Sequence, residues 1–268
     1  MRPSSLPFLY PPLASPFASL AGLGVSELRG DNMAYSKFWH VAAAGGGGRR
    51  RRRDGVAGVL LPSRGAMVVA YGPALVAALA SFAVPGAVEG ARAQILSAVL
   101  AVHFLKRLLE AFLVHRYSGC MPLATAVLVC SCYMFNTVTM IYVQYLSQGL
   151  PEPPVDLLYP GVLVFSVGIA GNFYHHYLLS RLRDGGGDDK RYKIPRGGLF
   201  ELVACPHYLF EIIGFFGFAM ISQTVFGLAA ALGTAAYLTG RSCATRRWYA
   251  SKFEEFPAGI KALVPYVL

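Results

Sequence analysis

Residues 192–211, YKIPRGGLFELVACPHYLFE, set three ionisable side chains, Glu201, His207 and Glu211, between segments apolar enough to cross a bilayer. An acidic residue at mid-membrane costs about 2.5–3.5 kcal/mol on insertion scales. Such residues therefore either join helices inside a bundle or build a site for a polar cofactor. A second group lies in HFLKRLLEAFLVHRYSG, where His103, Lys106, Arg107 and Glu110 recur three or four apart and share a helical face. Pairing of Glu110 with Lys106 or Arg107 would be structural, yet a charged stripe inside a span faces the bundle interior or an aqueous cavity. A third group, GNFYHHYLLSRLR, brings Asn172, His175, His176 and Arg183 toward one end of a span.

Adjacent histidines cannot share one helical face, so one of His175 and His176 is expected to face the bundle and the other the lipid headgroups. A metal site there is not expected. The following loop, DGGGDDKRYKIPRGG, is turn-rich, but it has neither the Walker pattern nor a GxGxxG after a strand. Basic residues on both sides of it make an electropositive mouth suited to a polyphosphate, which arginine grips bidentately.

The elements that must position these groups follow from composition. The chain has 268 residues, 55% hydrophobic and 14% charged, where a soluble domain carries about 25% charged residues. Apolar runs recur from 66 to 240 without strand-like alternation, which excludes an outer-membrane barrel and predicts an all-α integral membrane protein. Seven spans are expected, near 6–25, 66–85, 93–114, 121–146, 155–180, 198–220 and 222–240. Four prolines interrupt the first, and a cleaved signal peptide is its alternative reading.

Loop charge supplies the orientation. Residues 26–65, 181–197 and the tail after 240 are rich in Lys and Arg, whereas 86–92, 147–156 and the turn at 221 are acidic or nearly uncharged. This alternation predicts a lumenal N-terminus and a cytosolic C-terminus, which requires an odd number of spans. The excess of 24 Lys+Arg over 14 Asp+Glu thus marks cytosolic loops rather than a nucleic-acid partner. Four glycines followed by five arginines at 45–53 read as a flexible loop touching anionic lipid. The five cysteines are odd in number and show no metal-ligand spacing, so no metal is expected. The tail, RRWYASKFEEFPAGIKALVPYVL, is too polar to span and is expected to lie against the cytosolic face and close the site.

Together these segments resemble the steroid 5α-reductase / trans-2-enoyl-CoA reductase family of endoplasmic-reticulum membrane enzymes, over roughly residues 66–268. The resemblance implies an N-terminal span with a basic low-complexity loop (1–65) and a membrane-embedded reductase domain (66–268), whose family-wide region is about 115–268. It also implies NADPH as cofactor and reduction of a carbon–carbon double bond conjugated to a carbonyl or, in one branch, in a polyprenol. The family's cofactor positions fall on Asn172, Arg183, Tyr192, Glu211, Arg241 and Tyr249. Tyr249, followed by His207 and Tyr208, is the candidate for carbonyl polarisation or proton delivery, because a tyrosine donates without carrying charge into a desolvated site.

SFAVP at 81–85 and YKIPRGGLF match the steroid branch. The steroid enzymes, however, hold their 3-oxo group with a glutamate and a tyrosine at positions matching Ala78 and Phe104, and neither replacement can donate. A carbonyl left unpaired there forfeits about 1–3 kcal/mol. HFLKRLLEAFLVHRYSG, GNF and CPHY look closer to the enoyl-CoA reductases, and His207 also looks like the polyprenol reductases. The expected substrate is a trans-2-enoyl-CoA, within a very-long-chain fatty-acid elongation complex. A steroid, a polyprenol, and a non-catalytic protein retaining the fold are the alternatives.

Overall fold

The computed structural model describes residues 10–33, 59–117, 119–182 and 192–268. Among these, seven α-helices form the molecule: α1 (Tyr10–Arg29), α2 (Ser63–Ala80), α3 (Gly90–Leu109), α4 (Leu123–Leu146), α5 (Leu158–Arg181), α6 (Pro206–Ser222) and α7 (Val225–Lys252). Each falls on one of the expected apolar runs. Three are long and apolar enough to cross a membrane: α2 with its 3-10 extension (Ser63–Ala83), α4 and α5; α6 is apolar but shorter.

Two short strands fix where α2 and α4 begin. β1 (Leu60–Pro62) pairs antiparallel with β2 (Cys120–Pro122), with Leu61 opposite Met121. Each strand ends in a proline, and a helix follows at once. Proline has no N–H to offer a ladder, so it closes the strand and leaves the next residue free to enter the helix. The two helices therefore start at the same end of the bundle. α3 runs the other way between them.

Glycines set how closely the helices approach. A Cβ on Gly168 of α5 would lie 2.4 Å from the backbone N of Gly214 in α6, and one on Gly217 would lie 2.6 Å from the backbone N of Phe165. A Cβ on Gly240 of α7 would fall 2.2 Å from the carbonyl oxygen of Gly24 in α1. These are backbone-to-backbone contacts of the kind small residues permit in membranes. Next to the second seam, Glu27 of α1 and Arg241 of α7 form a fully buried ion pair at 2.7 Å. Arg247 also donates to the carbonyls of Glu27 and Leu28 at 3.1 and 2.9 Å, satisfying acceptors that the end of α1 leaves open. α1 is thus an integral part of the bundle, held to α7 by packing and charge.

The end remote from the basic loops is closed by Arg92 at the start of α3. Its guanidinium reaches the Ile221 carbonyl at 2.9 Å, Gln223 at 2.8 Å and Asp156 at 2.9 Å. Gln223 adopts φ +47° in the turn between α6 and α7, which aims its side chain at Arg92 and the Leu157 N–H. The Leu158 N–H and the Arg92 guanidinium hold the Asp156 carboxyl below its ordinary value.

The sequence expectations differ from the fold in three places. α6 begins at Pro206 rather than near 198, because left-handed Gly197 and Gly198 break the chain into a 3-10 turn at Gly198–Glu201. Glu201 is consequently exposed on that turn rather than buried in a helix, and its carboxylate accepts from the Gly197 N–H at 2.8 Å. α7 continues to Lys252, well past the expected end near 240. Only the residues beyond it form the irregular tail, which folds back on the segment before α6. Ala204 N–H donates to the Lys261 carbonyl (2.8 Å) and Lys261 N–H to that of Leu202 (2.9 Å). Arg246 of α7 clamps the same tail through the carbonyls of Ile260 and Ala258.

Candidate active site

The polar groups of three helices meet where α3 and α5 end and α6 begins. At its C-terminus α3 widens into a π-helical turn, Glu110–Val114, and Glu110 is 1% exposed. Such turns insert an extra residue and re-aim side chains, and they recur at functional sites. Lys106 Nζ lies 2.8 Å from Glu110 Oε1, and Arg107 Nη1 lies 3.3 Å from Oε2. His176 of α5 reaches the same carboxylate through Nδ1 at 3.1 Å. Lys106 also donates to Asn172 Oδ1, while Asn172 Nδ2 donates to the His207 carbonyl at 2.7 Å. Asn172 therefore ties α3, α5 and the first turn of α6 together. Arg107 Nη2 donates to the Tyr71 hydroxyl of α2 at 2.6 Å.

Both histidines of the HH pair are buried, which corrects the expectation that one faces the headgroups. The segment before α6 covers His175. His175 Nδ1 lies 2.7 Å from the Gly171 carbonyl, and its Nε2 accepts from the Leu199 N–H at 3.2 Å. These partners fix the tautomer, with the proton on Nδ1. The ring stacks on Phe210 at 5.2 Å, so His175 anchors the loop to α5.

Glu211 differs from every other acid in the cluster. It is 7% exposed and makes no hydrogen bond or ion pair among the described residues; its charge reaches Lys106 and Arg107 only at longer range. Arg107 Nε is likewise buried without a partner among the described residues. Gly214 lies one turn from Glu211 on the same face of α6, and a Cβ there would meet nothing within 4 Å. Gly217, one turn further on, is consumed by the seam with Phe165. Gly214 alone leaves space. A buried carboxylate, an orphaned guanidinium N–H and an open glycine face fit a polar, hydrogen-bonding cofactor such as a nicotinamide dinucleotide.

Glu110, His115 and His176 offer ligand atoms within 4.8 Å of one another. Their chemistry does not favour a divalent ion. Lys106 and Arg107 already neutralise Glu110, and a further cation would face both.

His207, Tyr208 and Tyr249 occupy the outer wall. The His207 ring lies 5.4 Å from that of His176 and 4.2 Å from that of Tyr208. Tyr208 packs on a cluster of Ala204, Cys205 and Ile260, and Phe256 covers the same cluster. Tyr249, buried in the last turns of α7, stacks on Phe256 at 5.7 Å with nearly parallel rings. Tyr192 meets Trp248 at 5.0 Å, with the Lys252 ammonium near both rings. The tail thus places an aromatic wall beside the α6 N-terminus. Among the candidate cofactor residues, Asn172 and Glu211 lie at the polar cluster, Tyr192 and Tyr249 in the aromatic wall, and Arg241 in the α1–α7 seam. Arg183 lies outside the described residues.

Residues 120–268 match the 3-oxo-5-alpha-steroid 4-dehydrogenase family. The chain is 35% identical over 215 residues to the 3-oxo-5-alpha-steroid 4-dehydrogenase 1 of Macaca fascicularis, covering 78% of this chain and 80% of that protein. The chain belongs to this family.

A very-long-chain enoyl-CoA reductase of Dictyostelium discoideum is 34% identical over 171 residues, 63% of this chain and 56% of that protein. A steroid 5-alpha-reductase of Gossypium hirsutum is 44% identical over 108 residues, 40% of this chain and 41% of that protein. Members of the 3-oxo-5-alpha-steroid 4-dehydrogenase family are oxidoreductases acting on carbon–carbon double bonds. Within this family member, Ala78 is fully buried in the main apolar core, while Phe104 packs with Ala70, Tyr71 and Ala74. Tyr71 is the participant that sequence reading missed. It stands alone in an apolar run, and only the fold brings its hydroxyl to Arg107.

Proposed function

We propose that this chain is an NADPH-dependent reductase of a lipid carbon–carbon double bond, acting on a trans-2-enoyl-CoA thioester. The observation that carries the reading is Glu211, a buried carboxylate without a direct partner, set beside the open face of Gly214 and opposite the Lys106–Asn172–Glu110 network. Bound NADPH supplies hydride to the alkene carbon β to the carbonyl. Asn172 and Glu211 hold the polar edge of the cofactor, and the cationic ends of Lys106 and Arg107 balance its negative charge. Tyr192 and Tyr249 border its outer half, and Arg183 is carried over from the family resemblance as a further cofactor residue. Arg241, already committed to Glu27, fixes α7 so that Tyr249 keeps its place. Tyr249, His207 and Tyr208 form the wall from which a proton reaches the substrate, and the tail over the α6 N-terminus excludes water from it.

All seven helices cross the endoplasmic-reticulum membrane, with the tail and the site at the cytosolic end, where soluble NADPH enters while the lipid arrives through the bilayer. A steroid substrate is the second reading, favoured by the 35% identity to a 3-oxo-5-alpha-steroid 4-dehydrogenase. Against it stand Ala78 and Phe104, apolar side chains with no donor for a 3-oxo group.

NADPH binding by the purified protein, followed through cofactor fluorescence, tests the site. Glu211→Gln is expected to remain folded and to lose at least tenfold in affinity. Unchanged affinity would remove Glu211 from the pocket.

A further inference from the structure

The imidazole of His103 is 7% exposed and has no hydrogen-bond partner among the described residues. It meets the rings of Phe104, Phe215 and Phe218 edge to face, at 5.0, 5.8 and 5.6 Å. None of these rings offers a conventional donor or acceptor. Its ring nitrogens are therefore open to a hydrogen-bonding ligand, and a polar group that a ligand desolvates costs about 1–3 kcal/mol unless the ligand pairs with it.

The position of the ring says which ligand. His103 lies three residues before Lys106 on α3, about 4.5 Å deeper along the helix axis. Phe215 and Phe218 are four and seven residues after Glu211 on α6, so His103 opposes the stripe of α6 that bears Glu211 and Gly214. It is the polar side chain on the apolar side of the cofactor region, where an alkene and its carbonyl must sit if the phosphates stay near the basic end. The neighbouring Phe104 diverges from it, toward Tyr71 and Tyr133.

We propose that His103 donates a hydrogen bond to the substrate's thioester carbonyl oxygen. The proposal rests on the enoyl-thioester reading above. The alkene gains a hydride from NADPH at the carbon β to the carbonyl, and its π pair moves to form an enolate with the charge on oxygen. The His103 N–H stabilises that charge in desolvated surroundings. A proton then adds at the α carbon, the carbonyl re-forms, and a saturated thioester and NADP⁺ result.

The test uses the full chain in lipid nanodiscs with NADPH and trans-2-hexadecenoyl-CoA. The second readout is the infrared stretch of bound hexadecanoyl-CoA carrying ¹³C at the thioester carbonyl. The wild type is expected to show that band shifted to lower frequency than in free ligand. His103→Phe is expected to lose the shift and roughly 100-fold in kcat, the scale of one lost oxyanion donor, with NADPH affinity unchanged. His103→Gln, which keeps an N–H donor, should retain part of both. An unshifted carbonyl band in the wild type overturns the proposal whatever the variants do. So does a His103→Phe protein with near-normal turnover and an unaltered band. A wild-type chain that reduces 3-oxo-4-ene steroids but no enoyl-CoA instead overturns the functional reading on which the proposal stands.

Discussion

Glu110 of α3 and His176 of α5 meet at 3.1 Å in the interior of the bundle. Because the same carboxylate also neutralises Lys106 and Arg107, it is the only acid in direct contact with these cations among the described residues. Glu110→Ala would leave two partly buried cations without the acid they contact directly, a loss of up to about 3–5 kcal/mol. A thermal melt of the detergent-solubilised protein should show a large drop in Tm for this variant. Glu110→Gln, which keeps the shape and part of the hydrogen bonding, should fall less. Equal melting of Glu110→Ala and wild type would contradict the network.

The α5–α6 seam separates two glycines that sequence alone cannot tell apart. Gly168→Ala places a methyl 2.4 Å from backbone that cannot yield, so it should destabilise the protein by about 1–3 kcal/mol or more. Gly214→Ala meets nothing and should melt like wild type, while its methyl intrudes on the open face beside Glu211 and weakens NADPH binding. Parallel melting and cofactor titration of the two variants check the contrast.

The Glu27–Arg241 pair predicts a double-mutant cycle far from additive. Arg241→Met alone strands a buried carboxylate, and Glu27→Gln alone strands a buried guanidinium, each costing roughly 3–5 kcal/mol. The double variant should recover most of that loss. Additive losses in chemical denaturation would show that the two side chains do not act as a unit.

How much of this was legible follows from the same residues. Among the described residues each apolar run holds a helix, since continuous hydrophobicity is a local signal, and three of these helices are long and apolar enough to cross a membrane. The Lys106–Arg107–Glu110 stripe was readable from helical spacing and Asn172 from its place at a span end, but their contact bridges 66 residues and leaves no local signal. The start of α6 was missed because Gly197 and Gly198 are permissive rather than directive; their left-handed backbone depends on the tail pairing that follows. Arg241 entered as a cofactor position through the family resemblance, and its ion pair with Glu27, 214 residues away, leaves no local signal in the sequence.

Acid should loosen the far end of the bundle. Asp156 has its carboxyl held below its ordinary value by the Leu158 N–H and Arg92, so its charged form stabilises the fold above the unfolded-state value. That contribution is lost as pH falls through the lower, folded-state value. Asp156→Asn should therefore narrow the loss of Tm between neutral and acidic pH. Because Asp156 is exposed, the effect should be small, and an identical acid dependence in both proteins would show that the clip does not depend on this charge.

On the proposed reading, this end of the bundle is a reductase site for an enoyl thioester. The most direct measurement is NADPH oxidation by the purified chain, offered trans-2-enoyl-CoAs, 3-oxo-4-ene steroids and polyprenols in turn, with the reduced products identified by mass spectrometry. The predicted result is stoichiometric conversion of trans-2-enoyl-CoA to acyl-CoA, faster than any steroid or polyprenol and abolished by Glu211→Gln. Faster reduction of a 3-oxo-4-ene steroid, or no NADPH consumption with any substrate, would contradict it.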